Sequence, residues 1–159
     1  MKKVYLVTGP PGAGKSRFVS QHAGSNDVCF DLDRIHESMS TAPGIHRDRK
    51  CLLGVSIPMR EAFYKAVAAR SGTWDNAWII TGAAKRSEIA GLLQTLRAEE
   101  VEILPSKDDC IRNILNDPQR GDKPSQVSLV NEWFSARAAE SINPKSARDS
   151  FAEWFEANT

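Results

Sequence analysis

The stretch GPPGAGKS, residues 9–16, directly follows the apolar run Val4–Thr8 and matches the pattern G-x-x-x-x-G-K-[ST]. Its glycines leave the backbone uncovered, so backbone N–H groups can surround a compact negative charge such as a phosphate group. A helix that begins at the end of the stretch adds its positive end to the same place. The stretch therefore predicts a strand, a phosphate-binding loop (P-loop) and a helix, and with them a site for a nucleoside triphosphate.

The residue types in the loop indicate ATP and Mg²⁺ as its ligands. Lys15 can reach the β- and γ-phosphates, and the Ser16 hydroxyl is a ligand for Mg²⁺. The alternative, a glycine-rich turn that binds nothing, is disfavoured because the motif stands between a strand pattern and a helix pattern. The predicted nucleotide-binding residues are Gly9, Pro10, Pro11, Gly12, Ala13, Gly14, Lys15, Ser16 and Arg17.

Four short apolar runs without clean alternation predict parallel strands that are covered on both faces. Helical patterns separate them, which favours a three-layer α/β fold with a central parallel sheet of four or five strands. The predicted strands are Val4–Thr8, Val28–Leu32, Ala77–Thr81 and Val101–Leu104. In such a fold, ligands bind outside the carboxyl ends of the strands.

The helices are predicted from apolar residues at helical spacing and from capping residues. Residues 58–70 place Met59, Phe63, Ala66 and Val67 on one face, and Ser87 is the expected cap of a helix that contains Ile89 and Leu96. Residues 106–117 begin with the capping-box pattern SKDD and end at Pro118. Residues 125–140 place Val127, Val130 and Phe134 on one face.

Length and composition indicate a single globular domain spanning residues 1–159. No apolar stretch reaches the roughly 18 residues of a membrane helix, and the N-terminal run lacks a cleavage site, so we expect a cytoplasmic protein. The three cysteines are far apart, which predicts reduced thiols and no zinc site. The net charge of +1 neither favours nor excludes a nucleic-acid partner.

Two aspartates follow the second predicted strand, in the sequence Asp31-Leu32-Asp33. Alternation along a strand would place both carboxylates on one side, at the strand's carboxyl end. One could support Mg²⁺, and the other could take the proton of an attacking hydroxyl group. The alternative is that Asp33 only caps the following helix. The position about 20 residues after a P-loop favours the catalytic interpretation.

The segments MKKVYLVTGPPGAGKS and FDLDRIHESM resemble the kinase half of phage polynucleotide 5′-hydroxyl kinases. The segment IRNILNDPQRGDKPSQVSLVNEWFSAR, residues 111–137, resembles the lid of that family, in which two arginines precede a Gly-x-Lys turn and a long helix. The resemblance covers most of residues 1–36 and about 100–137. It implies a nucleotide-kinase-like fold with a helical lid at about 106–124.

The resemblance also implies roles for individual residues. Asp33 matches the catalytic base, Lys15 and Ser16 match the phosphate lysine and the Mg²⁺ ligand, and Arg112 and Arg120 match the lid arginines. Asp31 is then expected in the Mg²⁺ shell. Arg34 and His36, just after Asp33, are expected to contact the acceptor. Lys85 and Arg86 directly follow the third predicted strand, and this position at a strand end predicts that they could meet the acceptor too.

The chain differs from the family at the two positions below and in a longer spacing between the two lid arginines, Arg112 and Arg120. His36 stands where the family has arginine, and Thr81-Gly82 stand where its third strand ends in a carboxylate-bearing motif. The predicted activity is therefore transfer of the γ-phosphoryl group of ATP to a hydroxyl or phosphate acceptor, with a polynucleotide 5′-hydroxyl as the leading acceptor. The alternatives are a small-molecule or (deoxy)nucleoside monophosphate kinase and a nucleotide-gated P-loop ATPase. The sequence gives no oligomeric state.

Two further segments carry predictions. Basic residues within 37–57, at positions 46, 47, 49 and 50, form either a solvated surface or a contact for acceptor phosphates. Near the C-terminus, Phe151, Trp154 and Phe155 form an apolar stripe that we expect to pack on the domain or on a second copy.

Overall fold

The computed structural model describes residues 1–41 and 50–142. Ten helices and strands lie within these ranges and follow each other in the order β1, α1, β2, α2, α3, β3, α4, β4, α5, α6. The strands are β1 (Lys3–Thr8), β2 (Val28–Phe30), β3 (Asn76–Ile80) and β4 (Glu99–Glu102). The helices are α1 (Lys15–His22), α2 (Leu32–Ser38), α3 (Lys50–Ala68), α4 (Arg86–Leu96), α5 (Lys107–Asn116) and α6 (Lys123–Ile142).

The described strands form one parallel sheet in the order β2-β3-β1-β4. Leu6 of β1 lies between Ile79 of β3 and Glu100 of β4, so β1 has a neighbour on each side. The chain passes from β1 to β2 in one direction and from β3 to β4 in the other. The loops after β1 and β3 therefore open on the same crevice at the carboxyl ends, where ligands bind in open parallel sheets.

Alternation along the two central strands divides the core between the two faces of the sheet. Val4 and Leu6 pack with Ile79 against the side that α3 and α4 cover. Val7 packs with Trp78 and with Val19 of α1 on the opposite side. The sheet is therefore covered by helices on both faces, and the predicted three-layer α/β fold is confirmed.

Two strand predictions were wrong in their bounds. The second strand ends at Phe30, because Asp31 already caps α2. The fourth strand is Glu99–Glu102 and not the apolar run 101–104, because its pairing with β1 starts opposite Tyr5. This strand lies at the edge of the described sheet, where carboxylates can remain in contact with water.

The helix predictions were right in position and partly wrong in detail. The helix expected at 58–70 extends back to Lys50, and Met59 and Ala66 of its expected apolar face are exposed. Val67 and Phe63 of the same expected face do pack in the core, and Ser56 is buried against α2. Ser87 is not the cap of α4, since the capping position is Lys85.

The capping-box prediction for α5 is confirmed, because the Ser106 hydroxyl accepts a hydrogen bond from Asp109 N at 3.1 Å. The expected face of α6 is confirmed as well. Val130 is buried against Cys110 and Ile114 of α5, with Val127 and Phe134 packed around them.

Helix α5 rests directly on the P-loop. Ala13 belongs to the same apolar cluster as Cys110 and Ile114, and Asn113 Nδ2 donates a hydrogen bond of 3.0 Å to the Gly12 carbonyl. Gly12 has a φ of +76°, and a Cβ atom there would lie 2.5 Å from the Cys110 carbonyl oxygen. The helix can therefore approach this closely only because residue 12 is glycine.

Two sequence predictions lie outside the described residues. They are the basic cluster at positions 46, 47 and 49, and the apolar stripe at positions 151, 154 and 155. No helix in the described part of the chain is both long enough and apolar enough to cross a membrane.

The contact between Gly12 and α5 predicts a difference between two glycine variants. Gly12 and Gly14 both have positive φ, +76° and +89°, but a Cβ atom at Gly14 would meet nothing within 4 Å. Both alanine variants should lose about 1–2 kcal/mol of unfolding free energy from the left-handed backbone. Gly12→Ala should lose about 1–3 kcal/mol more, because its methyl group overlaps with α5.

The measurement is urea unfolding of the parent chain and both variants without nucleotide. Gly14→Ala is the matched control for backbone strain. Equal losses for the two variants would contradict the close approach of α5 to the loop.

Candidate active site

A cleft of about 630 Å³ lies at the carboxyl ends of β1, β2 and β3. Its floor is the P-loop with the start of α1, one wall is the start of α2, and the other wall is the turn between α5 and α6. The residues that line it are Pro11, Gly12, Ala13, Gly14, Lys15, Ser16, Arg17, Ser20, Asp31, Leu32, Asp33, Arg34, Ile80, Gly82, Asp117, Gln119, Arg120, Gln126 and Leu129.

The P-loop backbone is arranged to receive an anion. Gly14 is the residue before α1 and has a left-handed conformation, which turns the chain into the helix. Among the described residues, the backbone N–H groups of Gly12, Gly14, Lys15 and Ser16 have no hydrogen-bond acceptor. Such N–H groups at a helix start, together with the helix dipole, fit a phosphate group.

Lys15 is folded back over the loop. Its ammonium group donates hydrogen bonds to the carbonyl oxygens of Gly9 at 2.7 Å and Pro10 at 2.9 Å. Burial, together with the positive charge of Arg120, lowers the pKa of Lys15 from 10.5 to about 8, against the opposing attraction of Asp31 and Asp33. The lysine is therefore a poorly solvated cation that a phosphate group would stabilise.

Asp31 links α1, the helix that follows the P-loop, to the start of α2 through hydrogen bonds. Its side chain, only 6% exposed, accepts a hydrogen bond of 2.6 Å from the Ser16 hydroxyl and one of 3.1 Å from Asp33 N. Asp31 is thus the N-cap of α2, and Asp33 lies in the first turn of the helix. The prediction that both aspartates lie on a strand was wrong. The alternative that Asp33 caps the helix was also wrong, because Asp31 is the cap. Both residues nevertheless line the cleft.

The Ser16–Asp31 pair fits a magnesium ion. Within residues 1–41 and 50–142, no group of three or more His, Cys, Asp and Glu side chains could hold a metal ion by itself. Mg²⁺ in nucleotide sites is commonly held by one or two protein oxygens together with phosphate oxygens and water. A hydroxyl and a buried carboxylate beside the P-loop supply oxygen ligands of that kind.

Arg120 is the lid arginine that the structure brings to the cleft. Its side chain is 13% exposed, and its Nε donates to Asp117 Oδ2 at 3.1 Å. Its Nη1 donates to Gln126 Oε1, also at 3.1 Å. The guanidinium is near enough to lower the pKa of Lys15, so two cationic side chains lie close together in the cleft.

Arg112 does not line the cleft. It lies on the outer side of α5, where its side chain is 63% exposed and pairs with Asp109 one turn earlier. Arg112 lies away from the cleft because the opposite side of α5, which carries Cys110 and Ile114, packs on the P-loop and α6.

Three of the four predicted acceptor residues also lie away from the cleft. Arg86 forms a bidentate pair with Glu100, both distances 2.8 Å, and Lys85 is exposed at the start of α4. His36 is 8% exposed, and its Nε2 is 2.8 Å from the Ser56 hydroxyl of α3. Arg34 is exposed and lines the cleft.

Helix α6 fixes the loop between β3 and α4. Trp133 and Arg137 donate hydrogen bonds to the carbonyl oxygens of Ala83 and Ala84, at 3.2 and 2.6 Å. One turn later, the Glu140 carboxylate accepts from the first N–H groups of α4, at Arg86 and Ser87. These three α6 residues have the spacing i, i+4, i+7, so one face of α6 holds the loop that contributes Gly82 to the cleft.

Sequence reasoning missed Asp117 and Gln126 as residues of the cleft. Asp117 precedes a proline, and its Oδ1 accepts from Gln119 N at 2.9 Å, which is the local turn that an Asp-Pro pair favours. That signal was present in the sequence. Gln126 had no local signal, because its role depends on where the α5–α6 turn places Arg120.

No protein-family profile and no curated protein sequence matches the chain. Solved structures with a similar fold include a chain of the Pnkp1/Rnl/Hen1 RNA repair complex, with a TM-score of 0.59 and 16% identity over 87% of this chain. This chain spans 46% of the length of that one. Shikimate kinase from Acinetobacter baumannii, solved in complex with shikimate, matches with a TM-score of 0.54 and 15% identity. That match covers 99% of this chain and 93% of the shikimate kinase. The chain thus has the three-layer fold of P-loop kinases.

The lowered pKa of Lys15 predicts proton uptake when a nucleotide binds. Phosphate groups favour the charged ammonium and raise this pKa, so above about pH 8 a proton must be taken up on binding. The affinity for ADP or ATP should be nearly flat between about pH 7 and pH 8, where the terminal phosphate is ionised and Lys15 is charged, and should then fall by up to about tenfold per pH unit.

The measurement is calorimetric titration with ADP at pH 8.5–9 in two buffers of different ionisation enthalpy. The control is Lys85→Met, which removes an exposed lysine outside the cleft and should leave the uptake unchanged. Equal heats in both buffers for the parent chain would show that Lys15 is already protonated.

Proposed function

We propose that the chain is an ATP-dependent phosphotransferase that uses Mg²⁺ and moves the γ-phosphoryl group to a hydroxyl group, with a polynucleotide 5′-hydroxyl as the leading acceptor. The observation that carries the proposal is the 2.6 Å hydrogen bond between Ser16 and Asp31, with Asp33 two residues later in the first turn of α2. This contact joins a phosphate loop to an acidic pair in a single cleft that Lys15 and Arg120 also line.

Asp33 is proposed as the general base. The acceptor oxygen forms a bond to the γ-phosphorus while the bond between that phosphorus and the β,γ-bridging oxygen breaks, and ADP leaves. The hydroxyl proton passes to the Asp33 carboxylate, which lines the cleft within electrostatic reach of Lys15. The two oxygens of Asp31 accept hydrogen bonds from Ser16 and from the α2 backbone, which fits a role in positioning Ser16 and holding Mg²⁺.

Ser16 and Asp31 are proposed to hold Mg²⁺, which supplies charge neutralisation at the phosphate oxygens. Lys15 and Arg120 provide fixed positive charge in the same cleft, where charge develops on the transferring group. Arg112, the other lid arginine of the resemblance, is assigned no role in transfer, because it lies on the outer side of α5 and pairs there with Asp109.

The polynucleotide acceptor is supported by the sequence resemblance at residues 30–39 and 111–137. The fold likeness to a chain of an RNA repair complex agrees with it. Arg17 and Arg34 are exposed at the mouth of the cleft, where they can meet acceptor phosphates.

A small-molecule hydroxyl is the second candidate acceptor. Shikimate kinase, which binds shikimate, matches nearly the whole of both chains. In addition, Arg86 and His36, which were expected to bind a polynucleotide, are engaged elsewhere in the fold. A nucleoside monophosphate acceptor and ATP hydrolysis without an acceptor are further outcomes that the same experiment detects.

The test is transfer of label from γ-labelled ATP to 5′-hydroxyl DNA, 5′-hydroxyl RNA, nucleoside monophosphates and small hydroxylated acids including shikimate. Label on the 5′-end confirms the leading proposal, and label on a small molecule selects the second candidate. Label released only as inorganic phosphate would overturn both.

Asp33→Asn should lower single-turnover transfer by about 10²–10⁴-fold with little change in ATP affinity, because an amide cannot accept the proton. Asp31→Asn should instead raise the magnesium concentration needed for half-maximal rate. Asp108→Asn is the matched control, since it removes an exposed carboxylate that lies outside the cleft. If Asp31→Asn loses transfer and Asp33→Asn keeps it, the two roles are reversed.

A further inference from the structure

The guanidinium of Arg120 is held from two sides in the nucleotide-free chain. Asp117 Oδ2 accepts from Nε and Gln126 Oε1 accepts from Nη1, both at 3.1 Å. Two acceptors on different edges of a planar group fix its position and its plane. Since the side chain is only 13% exposed, water competes weakly for these bonds.

Both holding residues are themselves anchored. The other oxygen of Asp117, Oδ1, accepts from Gln119 N at 2.9 Å, so the carboxylate is bound inside its own turn. Gln126 lies in the first turn of α6, and its backbone N–H donates to the Asp122 carbonyl at 3.2 Å. The Asp117 carboxylate and the Gln126 backbone therefore belong to the structure of the turn and do not depend on Arg120 for their placement.

The turn is tied to the P-loop through α5. Asn113 binds the Gly12 carbonyl, and Cys110 and Ile114 pack with Ala13. Lys123 Nζ donates to the Leu115 carbonyl at 2.6 Å, which joins the start of α6 to the end of α5. A chain of contacts thus fixes the distance between the phosphate-binding backbone and the arginine.

We propose that Asp117 and Gln126 are positioning residues that set Arg120 in the cleft before nucleotide binds, so that the segment 106–124 delivers its arginine without a closing movement. The inference rests on the proposed function for the meaning of Arg120, but the preset geometry is a property of the nucleotide-free chain. A cation held in place in advance stabilises developing charge without reorganisation at the moment of transfer. The same fixed charge explains why Arg120 opposes the protonation of Lys15.

The test uses variants that change one contact each. Asp117→Asn keeps an oxygen for Gln119 N but places an amide NH₂ opposite Arg120 Nε, where two donors then face each other. Gln126→Leu removes the second acceptor, and Gln126→Glu keeps one. Asp109→Asn is the matched control, because it breaks the exposed Asp109–Arg112 pair, which has the same i, i+3 spacing on the same helix.

The first readout is the NMR signal of Arg120 Nε–Hε in the nucleotide-free chain. We expect slow solvent exchange and a single orientation in the parent and in Asp109→Asn, and fast exchange in Asp117→Asn. A signal that is equally mobile in the parent and in Asp117→Asn overturns the proposal. This readout needs no transfer activity, so it separates a failure of the inference from a failure of the proposed function.

The second readout is the split between kcat and KM for the acceptor that the transfer assay identifies. Asp117→Asn and Gln126→Leu should lower kcat by about tenfold, with the KM for ATP within about twofold, and Gln126→Glu should restore most of the rate. In an Arg120→Ala background, the effect of Asp117→Asn should vanish, because the residue acts through the arginine. A tenfold loss that persists in that background assigns Asp117 a purely structural role and overturns the proposal.

Discussion

The organisation of the cleft depends on the bare backbone of Gly12. A Cβ atom at residue 12 would lie 2.5 Å from the Cys110 carbonyl oxygen, so the absence of a side chain there lets α5 rest on the P-loop. Helix α6 then packs on α5 through Val130, and the turn between the two helices carries Arg120 into the cleft. Gly12, which leaves the P-loop backbone uncovered for phosphate binding, thus also determines where the α5–α6 wall of the cleft lies. Phosphate binding and the packing of α5 both favour a residue without a side chain at position 12, because both the phosphate and α5 approach the loop there.

The charged side chains of the nucleotide-free cleft favour the binding of an anion. Lys15 is half-buried, and its ammonium group donates to two carbonyl oxygens of the P-loop; loss of solvation lowers its pKa to about 8. Asp31 and Asp33 favour its charge, whereas Arg120 opposes it. A phosphate group would attract both cations at once and would offset the loss of solvation that lowers the pKa of Lys15. Binding energy is therefore available from groups that are incompletely satisfied in the nucleotide-free chain.

Sequence reasoning succeeded where a local pattern carries the information. The P-loop, the parallel sheet and the Ser106 cap each depend on a few neighbouring residues, and all three are present. It failed where a partner distant in sequence decides. The fourth strand is polar because Glu100 receives hydrogen bonds from Thr8 and from Arg86, and no apolar run marks such a strand. The holding face of α6 and the role of Gln126 likewise depend on contacts that helical periodicity alone does not reveal.

The loop after β3 constrains where an acceptor can enter. The Thr81 hydroxyl accepts from Ala83 N at 3.1 Å, so the end of this strand is closed by its own turn and offers no carboxylate to the cleft. Trp133 and Arg137 hold the next residues of the loop, and Arg86 is neutralised by Glu100. The exposed positive charge at the cleft mouth is then contributed by Arg17 of α1 and Arg34 of α2. The exposed cations Arg17 and Arg34 therefore line the same α1–α2 side of the cleft as Asp33.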